Sequence, residues 1–212
     1  MNKPVIIIGA STLGKAALDI FKSNGVVVYG FLDDDKKLIG TEIEDTQVLG
    51  TADEEAFLKI IGKDCDVFIA SDDNSLKASQ IKSLRTKQKA MPVNAIHTNA
   101  SIAESAVLHH GSMIHSGVVV GAFAEIGNHC ILHPGSIVDH EAKVGDFVQI
   151  GTGTNVCSGA QIEDRAFIGS GVTIVSGVKI EEGARVGAGS VVIADVKKGE
   201  TVFGNPATVV KA

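Results

Sequence analysis

Residues 138–156 read VDHEAKVGDFVQIGTGTNV, with an aliphatic side chain at every sixth position: Val138, Val144, Ile150 and Val156. The same register continues without insertion from Ile96 to Val192, which makes 17 consecutive hexads. A compact residue stands four positions after each aliphatic one, as Ala142 does after Val138. A fixed six-residue period of this kind is typical of a parallel β-helix.

The hexads predict a triangular prism. Each hexad forms a short strand whose aliphatic side chain points inward, and then turns a corner where only a compact side chain fits. Three faces take three hexads, so one coil contains 18 residues, and residues 18 apart lie in adjacent coils about 4.8 Å apart. Glycine directly follows several aliphatic positions, which is consistent with corners where a β-carbon would crowd the backbone: Gly121, Gly127, Gly145, Gly151, Gly169 and Gly187.

The composition excludes several classes of protein. Of 212 residues, 44% are hydrophobic and 21% are charged, which is unlike a disordered chain. The net charge of −6 argues against a nucleic-acid-binding surface. The three cysteines are irregularly spaced, so neither a disulfide framework nor a zinc site is expected. The apolar run in MNKPVIIIGA is too short for a signal peptide and no stretch is long enough to span a membrane, so we expect a cytoplasmic protein.

Residues 1–95 lack the six-residue period and alternate strands with helices. We therefore expect a small Rossmann-like α/β domain over residues 1–95 and an all-β solenoid over residues 96–212. The pattern predicts strands at 5–8, 26–32 and 67–70, and helices at 15–22, at 53–61 and from a cap at Asn74 to about Lys87. Residues 36–50 show little regular pattern.

Polar residues follow each of the three predicted strands. After the first strand comes Gly9-Ala10-Ser11, where backbone N–H groups at the start of a helix can cradle phosphate. Asp33 and Asp34 follow the second strand, and Asp73 and Asn74 come after the third. Because the carboxyl ends of parallel strands meet at one edge, these residues favour a nucleotide-like ligand. A solvated acidic turn explains Asp33 and Asp34 equally well.

All seven histidines lie between His97 and His140. His97, His115 and His133 are 18 apart, which predicts a histidine ladder along the prism. Imidazoles are good zinc ligands, but no carboxylate or cysteine recurs at the matching spacing. We therefore expect no metal site.

His140 differs from the other histidines because Asp139 and Glu141 flank it. Histidine is well suited to remove a proton near neutral pH, and a carboxylate neighbour raises its basicity and fixes its tautomer. Ser158 lies 18 residues further on, so the backbone N–H groups around it could stabilise the oxyanion formed when an amine attacks a thioester. An ordinary surface histidine is the alternative interpretation.

The segments Val138-Asp139-His140-Glu141, Val144-Gly145-Asp146 and Gly204-Asn205-Pro206-Ala207 closely resemble the hexapeptide-repeat acyltransferases of the sialic acid O-acetyltransferase and bacillosamine-pathway N-acetyltransferase type, the NeuD/PglD-like family. The similarity covers essentially the whole chain. It implies a left-handed β-helix, against the usual right-handed crossover. It also implies a homotrimer, with acetyl-CoA in the groove between neighbouring solenoids and a nucleotide-sugar on the N-terminal domain.

The resemblance implies roles for individual residues. His140 would deprotonate the acceptor amine or hydroxyl, Glu141 would polarise it, and no covalent acyl-enzyme is needed. The Ser158 amide would hold the thioester carbonyl. The coenzyme would contact Cys157, Ser158, Gly159, Ser176, Gly177, Gly204, Asn205 and Pro206. The nucleotide-sugar would contact Gly9, Ala10, Ser11, Asp33, Asp34, Asp73, Asn74 and His133.

The chain departs from the family at positions that concern the acceptor. Thr12 and Leu13 replace the Gly-His of the usual phosphate turn, and His133 stands where asparagine is common. The favoured function is acetyl-CoA-dependent N-acetylation of a nucleotide-linked amino sugar. The alternatives are O-acetylation of a sugar such as sialic acid, a non-catalytic trimeric scaffold that binds nucleotide-sugars, and a metal-dependent hydrolyase.

Overall fold

The computed structural model describes residues 3–210. The chain forms two compact units that divide between Thr98 and Asn99. This division falls three residues after the boundary expected from the start of the hexads.

The first unit is an α/β domain built on a five-stranded sheet. Its strands are β1 (Val5–Ile8), β2 (Val28–Leu32), β3 (Glu42–Ile43), β4 (Thr46–Gly50) and β5 (Asp66–Ile69), in the order β3-β4-β2-β1-β5. Neighbouring strands are parallel except for the antiparallel pair β3 and β4. The helices are α1 (Thr12–Ser23), α2 (Glu55–Leu58) and α3 (Asn74–Lys87), and β6 (Ala95–Ile96) follows them. β1 is buried along its length because parallel strands flank it on both sides.

Three details of this unit differ from the sequence prediction. The helix predicted at 53–61 is confined to α2, Glu55–Leu58. The hairpin β3–β4 lies at 42–50, within the segment 36–50 where the sequence showed no regular pattern. The cap of α3 is Asp73 and not Asn74: Asp73 Oδ1 accepts the backbone N–H groups of Ser75 at 2.8 Å and Leu76 at 3.0 Å. Asn74 is the first helical residue, so the carboxylate one position earlier satisfies the free N–H groups of the first turn.

The second unit is a hexapeptide-repeat parallel β-helix. Its first face carries β7 (Ser101–Ile102), β10 (Val119–Val120), β13 (Ile137–Val138), β16 (Asn155–Val156), β19 (Thr173–Ile174) and β22 (Val191–Val192). The second face carries β8 (Val107–Leu108), β11 (Glu125–Ile126), β14 (Lys143–Val144), β17 (Gln161–Ile162) and β20 (Lys179–Ile180). The third face carries β9 (Met113–Ile114), β12 (Ile131–Leu132), β15 (Gln149–Ile150), β18 (Phe167–Ile168), β21 (Arg185–Val186), β23 (Thr201–Gly204) and β24 (Ala207–Val209).

The register of the β-helix confirms the coil of 18 residues. Val120 pairs with Val138, and Val138 pairs with Val156. The period ends at the top of the prism, where Val186 pairs with Val202, so the last coil is two residues shorter. The strands β23 and β24 then form an antiparallel hairpin.

The prism interior contains the aliphatic and compact residues that the hexads predicted there. The aliphatic positions from Ile114 to Val192 are buried. Ile102 and Leu108 are half-buried because the first coil has a neighbouring coil on one side only. Most buried hydroxyls among the compact residues donate to the backbone, as Thr154 Oγ1 does to the Gly169 carbonyl at 2.7 Å, whereas Ser136 Oγ has no hydrogen-bond partner among the described residues. The interior is therefore a packed aliphatic core.

Glycines after the aliphatic positions allow adjacent coils to approach closely. A β-carbon on Gly121 would lie 2.6 Å from the backbone nitrogen of His140, one coil above. A β-carbon on Gly127 would lie 2.6 Å from the carbonyl carbon of Gly145. Both distances are shorter than any ordinary contact of a β-carbon, so these corners require glycine.

Candidate active site

His140 lies in the corner that joins β13 on the first face to β14 on the second face. Neighbouring coils hold its backbone on both sides. Its carbonyl oxygen accepts the Gly159 N–H at 3.2 Å, and the next residue, Glu141, donates its N–H to the Ala122 carbonyl at 3.0 Å. The His140 side chain is 59% exposed. The corner therefore presents an accessible imidazole on a backbone that both adjacent coils fix.

The carboxylate beside the imidazole belongs to Asp139. Its Oδ1 accepts the His140 backbone N–H at 2.7 Å and lies 3.0 Å from Nδ1 of the ring. The pKa of Asp139 is lowered from its ordinary value, and the largest cause is the hydrogen bond from the His140 backbone N–H. The hydrogen bond with the His140 ring and the Ser158 N–H lower this pKa further. An ionised carboxylate can only accept a hydrogen bond, so Nδ1 carries the proton and Nε2 of the neutral ring keeps a lone pair. In this tautomer the lone pair of the imidazole is at Nε2.

Glu141 directly follows His140, but its carboxylate does not take the role of polarising partner that the resemblance assigned to it. Its backbone is left-handed, with a φ of 57°. Between residues 3 and 210, no hydrogen bond or ion pair joins its carboxylate to the imidazole, whose carboxylate contact is Asp139. Asp139 takes this place because a short side chain just before the turn can bond both the amide and the ring of the next residue.

The next coil brings Cys157, Ser158 and Gly159 above His140, as the 18-residue spacing predicted. The Cys157 and Gly159 N–H groups donate to the carbonyl oxygens of Ile174 and His140 in the ladder between coils. The Ser158 N–H makes no backbone hydrogen bond of this kind, and the acceptor that it faces is the Asp139 carboxylate. Of these three amides, Ser158 is the one that a ligand can recruit without breaking the coil-to-coil ladder.

The corner becomes open in the upper coils. Gly159 and Gly177 have φ values of 66° and 74°, and a β-carbon on either would meet nothing within 4 Å. Beside them the hydroxyls of Ser158 and Ser176 lie 3.2 Å apart. The two glycines and two serines form a narrow ledge with polar groups along one side. Such a ledge fits an extended chain that carries amide groups.

The predicted coenzyme residues near the C-terminus lie on the closing hairpin. Asn205 and Pro206 form its exposed turn, joined by a cis peptide bond, and the Gly204 N–H donates to Ser190 Oγ at 3.1 Å. This hairpin continues the third face, whereas the His140 corner joins the first and second faces. The residues predicted to bind the coenzyme therefore lie at two different places on the prism, the corner above His140 and the closing hairpin.

His133, assigned to the substrate, belongs to a histidine stack at a third place. It follows β12 on the third face, and its ring stacks on that of His115 with centroids 5.3 Å apart and planes 20° apart. This pair confirms part of the predicted ladder. Among residues 3–210, no group of three or more histidine, cysteine, aspartate or glutamate side chains is arranged to hold a metal ion.

The first unit contains a separate pocket at the carboxyl ends of β1, β2 and β5. Its volume is about 210 Å³, and its lining includes Gly9, Ser11, Asp33, Asp34 and Asp72. The predicted convergence of three strand ends on one edge is therefore present. A β-carbon on Gly9 would lie 2.6 Å from the Ala70 carbonyl oxygen, and its φ is 104°, so this turn requires glycine.

Not every predicted residue of this pocket is free for a ligand. The Ala10 N–H, assigned to phosphate, donates to Asp33 Oδ2 at 2.7 Å, and Asp33 Oδ1 accepts the Asp35 N–H at 2.8 Å. Asp33 therefore fixes the glycine turn. The Asp73 side chain caps α3, and Asp72 lines the pocket instead. Ser11 makes no side-chain capping bond, so its hydroxyl is available to a ligand.

Two family models match the chain. The PglD N-terminal domain matches residues 4–84, and the bacterial transferase hexapeptide (six repeats) matches residues 105–140, 141–175 and 159–194. A mutant of GDP-perosamine N-acetyl transferase from Caulobacter crescentus, in complex with CoA and GDP-perosamine, is 26% identical, with a TM-score of 0.89 over 100% of this chain and 99% of that chain. The chain is a PglD-like hexapeptide-repeat acyltransferase.

Two further solved structures share this two-part architecture. WeeI from Acinetobacter baumannii AYE is 27% identical, with a TM-score of 0.84 over 99% of this chain and 100% of that chain. The acetyltransferase domain of PglB from Neisseria gonorrhoeae FA1090, in complex with acetyl coenzyme A, shares the fold at 24% identity, with a TM-score of 0.88 over 99% of this chain and 100% of that chain. No curated protein sequence matches the chain.

The sequence analysis missed two residues of the pocket in the first unit. Leu76 and Gln80 line the pocket of the first unit, one helical turn apart near the start of α3. Their spacing of four was a usable signal for a shared helix face.

No helix within residues 3–210 is long and apolar enough to cross a membrane.

Proposed function

We propose that this acyltransferase transfers the acetyl group of acetyl-CoA to the amine of a nucleotide-linked amino sugar, with His140 as the general base. The observation that carries the proposal is the 3.0 Å contact between Asp139 Oδ1 and His140 Nδ1, which leaves Nε2 as an exposed base. The complex of the Caulobacter relative with CoA and GDP-perosamine supports the class of both substrates.

The residues around His140 suit direct acetyl transfer. Acetyl-CoA would supply the acyl group as an activated thioester. Nε2 of His140 would take the proton of the acceptor amine as the amine attacks, and Asp139 would stabilise the resulting imidazolium. The Ser158 N–H, which is outside the coil-to-coil ladder, would donate to the thioester carbonyl oxygen as negative charge develops there. The oxyanion would then collapse with cleavage of the carbon–sulfur bond, and the imidazolium would return its proton to the departing sulfur, so that coenzyme A leaves as a free thiol. The ledge of Gly159 and Gly177 fits the narrow pantetheine arm.

The pocket of the first unit supports a nucleotide as the carrier of the sugar. Its carboxylates, Asp34 and Asp72, are hydrogen-bond acceptors that match ribose hydroxyls and base N–H groups. Phosphate would use donors other than the Ala10 N–H, because Asp33 already binds that group. We further propose a cytoplasmic homotrimer, in line with the resemblance of the hexads and the use of acetyl-CoA.

The test is acetyl transfer measured as release of free thiol. The purified protein is incubated with acetyl-CoA and either a GDP-linked or a UDP-linked amino sugar, with the matching hydroxyl sugar as the comparison. His140→Ala should lose two to four powers of ten in rate, the usual contribution of a general base. His110→Ala is the matched control because His110 is an exposed histidine at another corner. Equal rates for the two variants would exclude His140 as the base.

A further inference from the structure

Phe123 occupies an unfavourable position one coil below His140. Its backbone is left-handed, with a φ of 59°, and the residue is 68% exposed. A bulky residue in this backbone region costs free energy, and so does an exposed aromatic ring. The Phe123 N–H donates to Ser105 Oγ at 3.2 Å, which fixes the turn but does not involve the ring. The fold alone thus gives no reason for an aromatic side chain here.

The same position in the following coils shows what the backbone prefers. Positions 18 apart are Phe123, Glu141, Gly159 and Gly177, all with positive φ. The two upper members are glycines, for which this backbone carries no penalty. At this position of the corner, side chains are therefore present at and below the level of His140 and absent above it. The ledge for the coenzyme lies in the coils above His140, whereas Phe123 lies in the coil below it.

Phe147 shows how packing can explain a similar residue. It also has a φ of 59°, but it lies in a corner between the second and third faces, where its ring is half-buried and sits 5.1 Å from the ring of His129. Between residues 3 and 210, the Phe123 ring stacks on no other aromatic ring or cation. Packing accounts for Phe147, whereas a contact outside the protomer is needed to account for Phe123.

We propose that the Phe123 ring is the apolar floor of the acceptor site, on which the hydrophobic face of the amino sugar packs. This inference rests on the proposed acetyl transfer. Phe123 lies in the coil directly below His140, a rise of about 4.8 Å, and both side chains are exposed, so one sugar can contact the phenyl group and present its amine to Nε2 of His140. The acetyl group would arrive from the glycine ledge on the other side. A deoxygenated sugar exposes more apolar surface to the ring than a fully hydroxylated one, so Phe123 favours deoxy amino sugars.

The experiment compares Phe123→Gly and Phe123→Tyr in steady-state kinetics, with KM measured separately for the sugar and for acetyl-CoA. Phe123→Gly should raise the acceptor KM roughly tenfold, the loss of one aromatic contact, and leave the KM for acetyl-CoA unchanged. Its thermal midpoint should be equal or higher, because glycine suits the left-handed backbone. Phe123→Tyr keeps the ring and should restore the acceptor KM. Phe123→Gly should raise the KM for a deoxy amino sugar more than it raises the KM for the hydroxylated counterpart.

Phe147→Gly is the matched control because it changes the same residue type at the same φ. It should lower the thermal midpoint and leave the acceptor KM unchanged. An unchanged acceptor KM in an active Phe123→Gly enzyme would overturn the floor while the acetyl transfer stands. A change of oligomeric mass in that variant would also overturn it, since the ring would then be a subunit contact. If Phe123→Gly does not fold, Phe123→Asn, which tolerates a left-handed backbone, takes its place. Absence of transfer by the wild type would overturn both proposals.

Discussion

A single methyl group placed under His140 should disable the enzyme without touching any reacting group. In Gly121→Ala the new β-carbon would lie 2.6 Å from the His140 nitrogen and 2.8 Å from the Asp139 carbonyl carbon. Ordinary contacts begin at 3.4 Å, so the corner above must move by roughly 0.8 Å. A catalytic group displaced by about 1 Å can lose on the order of a hundredfold in rate. We therefore expect kcat to fall about a hundredfold.

Gly127→Ala separates displacement of the base from damage to the fold. Gly127 holds the same place in its hexad, and its β-carbon would lie 2.6 Å from the carbonyl carbon of Gly145, in a corner that carries no catalytic group. Overpacking at either corner should destabilise the protein by about 1 to 3 kcal/mol. Thermal unfolding should show similar losses for both variants, and thiol release should fail in Gly121→Ala alone. Equal loss of kcat in both, or wild-type kcat in Gly121→Ala, would refute the reasoning.

Four further substitutions test the site and the surface around it. Asp139→Asn should lower kcat by about tenfold or more, because the imidazole contacts the Asp139 carboxylate. Glu141→Gln should lower kcat much less. The reverse order of the two effects would restore the role that the resemblance gave to Glu141. Gly159→Leu should abolish coenzyme A binding in calorimetry while the fold persists, and undiminished heat would remove the ledge from the site. A hydrogen bond from Lys179 lowers the pKa of Glu163, so its stabilising effect is present above the ordinary carboxyl pKa and is lost as the pH falls through the lower folded value. The wild type should therefore exceed Glu163→Gln in thermal midpoint at neutral pH, and the difference should vanish in acid.

The prism could be predicted from the sequence because its information is repeated. Each hexad repeats the same pattern of an inward aliphatic residue and a compact corner residue, so every hexad independently indicates the same register. Val138 pairs with Val156, as the 18-residue period requires. The hairpin β3–β4 has no such repetition. It consists of strands of two and five residues, too short for an alternation to stand out from chance.

The site was harder to predict because its contacts depend on side-chain direction. The sequence shows carboxylates on both sides of His140, and the contact with the imidazole is made by Asp139, whose short side chain also accepts the His140 backbone N–H. The same holds in the first unit, where Asp33 bonds the glycine turn and Asp72 lines the pocket. Spacing along the chain predicted which segments lie together, but the local turn geometry determines which side chains contact one another within each segment.

Each coil of the prism bonds only to the coil before it and the coil after it, so the number of coils can change without changing the contacts within a coil. Removing or adding one unit of 18 residues between His140 and the closing hairpin would keep the same type of inward contacts and shift the hairpin by about 4.8 Å. Evolution can therefore match the span of the solenoid to a longer or shorter donor molecule by duplication in whole steps, while the chemistry at its middle stays as it is.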